Sequence, residues 1–135
     1  MTVGETIVST KCPHDRILRE TIGKLGLDWV ILYNRQDAMA LPPGVDKAFG
    51  LKCAAKELGI SCDDIVSIGD AENDIPLVCC CGTGVAVSTA VAALKKKACM
   101  TVAHGSGTGV VELIRKMMAA DPPAERAHRR RCSGT

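Results

Sequence analysis

Two aspartates and an asparagine fall close together in the run Gly69-Asp70-Ala71-Glu72-Asn73-Asp74. Asp70 and Asp74 offer carboxylates, and Asn73 offers an amide between them. The run follows the apolar residues 64–68 (DIVSI) and leads into a helical pattern. Asp70 then projects from a strand end, Gly69 lets the backbone turn, and Asp74 comes one helical turn later on the same side. Such a cluster suits a hard, oxygen-seeking cation such as Mg²⁺. A helix cap would account for one polar residue of this kind, but not for three. Lys47 is a second candidate. It starts a helical pattern just after Pro42-Pro43-Gly44, where the positive end of the helix dipole disfavours a cation. A lysine placed against the dipole is a mild sign of use.

The other reactive side chains carry less. His14, His104 and His128 lie far apart in the sequence and receive no role. The eight cysteines include Cys79-Cys80-Cys81 but no pair of CxxC knuckles, so they do not read as a zinc site. Most fall in apolar stretches, which points to small core fillers, reduced thiols and a cytoplasmic setting. The net charge of +2 is too small to call for nucleic acid, and the chain has only Trp29, Tyr33 and Phe49 for stacking on bases. No apolar run is long enough to span a membrane.

The elements that would position these residues form two patterns. Residues 5–9 read as a strand. Ile17, Leu18, Ile22 and Leu25 recur at helical spacing, with Pro13 ahead of them in a first turn and Gly26 after. Residues 29–33 and 37–41 read as a hairpin around Asn34-Arg35-Gln36. This β-α-β-β unit ends at Pro42-Pro43-Gly44. Beyond it strict alternation begins: a helix over Lys47–Leu58 closed by Gly59, a strand at 64–68, and a short helix at 73–80. A strand at 84–87, a helix at 89–96, a strand at 98–102 and a helix at 109–118 follow. Short apolar strands between helices imply an α/β fold with a parallel sheet covered on both faces. The expected divisions are 1–41, 42–119 and a disordered basic tail at 120–135.

The run GDAENDIP resembles the GDxxND motif of haloacid dehalogenase superfamily phosphatases. Lys47, in GVDKAFGL, resembles the lysine motif of the Cof-type branch, and the spacing between the two motifs matches that branch. Val85-Ala86-Val87 and the glycine-rich stretch 105–109 resemble later parts of the same core. The resemblance implies an incomplete Rossmann-like core over 42–119, preceded by part of an α/β cap over 1–41. It further implies Mg²⁺ held by Asp70, with Asp74 binding through water or steadying Lys47. Asn73 and Gly69 would serve the phosphate side, and Lys47 would offset charge on the nucleophile and the transferring phosphoryl group. The reaction would hydrolyse a small phosphate ester through an aspartyl-phosphate.

The family's DxDxT nucleophile motif has no counterpart around Asp15, Asp28 or Asp37, and Thr10 ends a strand that reads as cap. The expectation is therefore a C-terminal portion, inactive alone, completed by an N-terminal segment or paired as a homodimer. The alternative is a non-catalytic module that uses its open sheet edge to bind a second copy.

Overall fold

The computed structural model describes residues 2–3 and 7–120, so the basic tail expected at 120–135 lies outside the described residues but for Ala120. Four strands form an antiparallel sheet: β1 (Thr2–Val3), β2 (Val8–Lys11), β3 (Val30–Asn34) and β4 (Asp37–Leu41), in the order β1-β2-β4-β3. Helix α1 (Asp15–Lys24) joins β2 to the hairpin. β4 lies between β2 and β3, and its Ala38 and Ala40 are buried. α1 buries no residue at all. Its apolar stripe instead borders an open cavity of about 540 Å³, lined by Ile17, Leu18, Ile22 and Leu25 opposite Val8 and Trp29.

After β4 the chain enters helix α2 (Lys47–Leu58). Asp46 starts this helix by accepting the amide of Phe49 at 2.8 Å, and Gly59 ends it in the left-handed conformation, φ 65°. Strand β5 (Val66–Gly69) starts two residues later than residues 64–68 suggest. Ser61 accepts the amide of Asp63 and winds Cys62–Asp64 into a 3-10 turn first. β5, β6 (Thr83–Ala86) and β7 (Met100–Thr101) pair in parallel in that order. Helices α3 (Ile75–Cys80), α4 (Ala92–Lys95) and α5 (Ser106–Ala119) pack on them.

The main core sits here. Val78, Leu94 and Leu113 from the three helices meet Val85, Ala86, Val87 and Val102. α4 is shorter than the pattern at 89–96 implies, because Val91 donates its amide to the carbonyl of Asp70, which keeps 87–91 as a connection. α5 is longer: it begins at Ser106 and absorbs the glycine-rich stretch. Gly109 owes its place to packing, since a Cβ there would lie 2.5 Å from the His104 carbonyl oxygen. The cysteines depart from the core-filler reading: Cys12, Cys53, Cys79 and Cys99 are exposed, with free thiols.

Candidate active site

In a parallel sheet the loops after the strands gather at one edge, and side chains placed there face a shared space. The three loops are laced together here. Val87 donates to the Gly69 carbonyl, Val91 to that of Asp70, and Ser88 to that of His104. A cavity of about 390 Å³ opens at this edge, bordered by Lys47, Gly69, Asp70, Asp74, Val87 and Ser106. The larger cavity beside α1 is almost wholly apolar and holds none of these groups.

Asp74 organises the edge. It closes the 3-10 turn Glu72–Asp74 and is only 6% exposed. Its Oδ2 accepts the amides of Asp70 at 2.9 Å and Ala71 at 3.3 Å, while Oδ1 accepts from Lys47 Nζ. Burial pushes this carboxyl up. The bond from Lys47 and the amides of Asp70 and Ala71 outweigh that and hold it below the usual carboxylate range. Gly69 makes the arrangement possible, because a Cβ there would fall 2.5 Å from Asp74 Cβ. Pro76 in the first turn of α3 then starts that helix without needing its own N–H.

Of the predicted residues, Lys47, Asp70, Asp74 and Gly69 therefore border one cavity. Asn73 is buried beneath the loop, and its Oδ1 has no hydrogen-bond partner among the described residues. The donor set fits a hard cation in part. Asp70 offers a half-exposed carboxylate, whereas both oxygens of Asp74 are already engaged. Among the described residues no three His, Cys, Asp or Glu side chains converge as a metal cage. Any cation would need further oxygens from water, from a phosphate, or from residues outside this set.

Arg35 was not anticipated. It sits at the tip of the β3–β4 hairpin with φ 55°. Its Nη2 donates to Asp70 Oδ2 at 3.0 Å and to the Thr89 carbonyl at 3.3 Å, and its amide donates to Glu72 Oε2 at 3.0 Å. The Arg35 amide, together with Glu72's own, holds the Glu72 carboxyl below its usual range. Nothing in the turn residues Asn34-Arg35-Gln36 signals a contact thirty-five positions away. His104 lies in the loop between β7 and α5 and pairs with Glu112 at 2.8 Å. Glu112 also accepts from Lys116 and from the amides of Ala103 and His104. These contacts, the bond from Lys116 foremost, hold it down to about 2. The cluster ties the β7–α5 loop to α5.

The model of the haloacid dehalogenase-like hydrolases matches residues 16–114. The chain belongs to that family. Among curated relatives of this haloacid dehalogenase-like chain, phosphoglycolate phosphatase of Nitrosopumilus maritimus is 36% identical over 100 residues, covering 73% of this chain and 43% of that protein. Stress response protein YhaX of Bacillus subtilis is 37% identical over 87 residues, covering 64% of this chain and 30% of that protein. The chain thus spans less than half the length of these relatives. A solved haloacid dehalogenase-like hydrolase from Bacteroides thetaiotaomicron superposes with a TM-score of 0.69 at 22% identity, over 87% of this chain and 46% of that one. At that identity the likeness speaks for the α/β fold.

Proposed function

We propose that this chain supplies the cation-binding and charge-balancing part of a Mg²⁺-dependent phosphoric monoester hydrolase. The attacking carboxylate would come from a segment outside these residues. The observation that most supports this reading is the bridging role of Asp74. One buried carboxylate fixes both Lys47 and the loop that presents Asp70, at the edge of one cavity. The cation, when bound, would neutralise phosphate oxygens and make the phosphorus more open to attack. Asp70 would hold it through a carboxylate oxygen. Asp74 would steady Lys47, reaching the cation through water at most. Lys47 has three N–H donors and uses one on Asp74, so the others can face a phosphate oxygen or the attacking carboxylate. Asn73 and Gly69 would hold the loop on the phosphate side.

The substrate would be a small phosphate monoester, in keeping with the name of the phosphoglycolate phosphatase relative. Four exposed free thiols favour a reducing compartment, the cytoplasm. β5 is an edge strand of the described sheet, and a strand added there in parallel would end beside Asp70. This is where an N-terminal segment would supply its nucleophile.

A second reading, a homodimeric module without turnover, has one observation in its favour. Val111, Ile114 and Met118 form an exposed apolar stripe along α5. The test is complementation. The chain is mixed with, or fused to, a DxDxT-bearing segment of the phosphoglycolate phosphatase relative and assayed with an aryl phosphate and Mg²⁺. Turnover should appear, and Asp70→Asn and Lys47→Ala should each lower it by about 10²-fold or more. Turnover indifferent to both substitutions would refute the assignment. A dimer that neither binds the segment nor gains turnover would favour the second reading.

A further inference from the structure

We propose that Arg35 is a resident counterion at Asp70 that a divalent cation must displace, so that cation binding releases the β3–β4 hairpin from the site loop. This rests on the assignment of Asp70 as the cation ligand. The geometry sets the two occupants in competition for one carboxylate. Nη2 of Arg35 already donates to Asp70 Oδ2 at 3.0 Å. A cation bound to that carboxylate would stand against a guanidinium of like charge at contact range. Arg35 also holds two further acceptors on the same edge, the Thr89 carbonyl and Glu72 Oε2. Its backbone is in the left-handed region, as the first loop residue of a two-residue hairpin requires, which aims the residue toward the site loop. Asp70 is the guanidinium's only ion-pair partner within 4 Å among the described residues, although Glu72 also lies within reach of its charge.

The first sheet touches the site loop mainly through β3 and this turn. The hairpin therefore acts as a latch that reports the state of Asp70, and by linkage the latch weakens cation binding as much as the cation weakens the latch. The released guanidinium would remain at the cavity rim, free to meet an anionic oxygen. Both partners of the pair are half exposed, so the competition is modest.

The test follows backbone amide NMR shifts of the chain during a Mg²⁺ titration at low salt, for the wild type, Asp70→Asn, Arg35→Gln and Arg35→Lys. Asp70→Asn should abolish the shifts at the site loop. Arg35→Gln should tighten Mg²⁺ binding by about two- to fivefold, with Arg35→Lys in between. In the wild type Mg²⁺ should speed amide exchange at residues 34–37, and in Arg35→Gln exchange should be fast from the outset. If Asp70→Asn loses Mg²⁺ while Arg35→Gln binds it no more tightly, the latch is wrong and the Asp70 assignment survives. If Asp70→Asn binds Mg²⁺ like the wild type, both fall.

Discussion

The two sheets of this chain differ in what their helices bury. Around β5–β7 three helices each drive an apolar side chain into the sheet, and Leu94, Val85 and Val102 lose essentially all contact with water. Beside β2–β4, α1 buries no residue fully: Leu18 and Ile22 are only partly covered, and Ile17 is 59% exposed although it belongs to a clear apolar stripe. Amphipathic spacing makes a helix but does not supply the surface that covers it. The residues assigned to chemistry, Lys47, Asp70, Asn73 and Asp74, belong to the well-packed half. There the backbone beneath them has few ways to move. Arg35, from the open half, reaches this loop through hydrogen bonds and one half-exposed ion pair with Asp70.

The sharpest way to break this contrast is to cut one side chain from each half. Leu94→Ala should cost about 2–5 kcal/mol in urea unfolding, and Ile17→Ala less than about 0.5 kcal/mol. Similar losses would mean that α1 is held as firmly as α4. A pair of glycines sharpens it further. Gly69→Ala would force a Cβ against Asp74 and should cost about 1–3 kcal/mol. Gly23→Ala in α1 meets nothing within 4 Å and should be neutral or stabilise by up to about 1 kcal/mol, since alanine is the better helix former. The helix starts provide a third pair. Asp46→Ala removes a real cap from α2 and should cost about 1 kcal/mol, whereas His14 makes no capping bond and His14→Ala should lose nothing from that source.

The smallest effect concerns pH. The Glu112 carboxyl lies at about 2 in the fold against an ordinary 4.5. A carboxyl lowered by folding stabilises the fold above its ordinary value, and that contribution is lost as the pH falls toward the folded value. The chain should therefore lose stability between pH 4.5 and about 2, and Glu112→Gln should make unfolding less dependent on pH in that window. An unchanged profile would mean that the contacts of Glu112 with His104 and Lys116 do not persist in solution.

Much of this was legible from local patterns. α2 and β4 fall where the sequence places them, because the helical pattern closed by Gly59 and the hairpin around Asn34-Arg35-Gln36 are local signals. The parallel sheet followed from short apolar runs between helices. Errors arose where a distant partner decides. The 87–91 segment stays out of α4 because the amide of Val91 is taken by the Asp70 carbonyl, and the glycine at 109 reflects the nearness of the His104 carbonyl. At the site, residue types and spacing marked Asp70 and Asp74 as a pair. Types and spacing alone left their labour undivided; the family resemblance offered Asp74 a water-bridged or a Lys47-steadying role, and the oxygens that Lys47 and two backbone amides occupy favour the second. Arg35 was hidden for the same reason: a turn residue's long-range partners leave no trace in its neighbours.

The most direct test of the division of the site is Mg²⁺-dependent hydrolysis of an aryl phosphate by these 135 residues alone, with Asp70→Asn as control. The expected result is no turnover above the control, since Lys47 and Asp70 would then have no attacking carboxylate to assist. Turnover that vanishes in Asp70→Asn would contradict it, because a carboxylate within this chain would have to be the nucleophile.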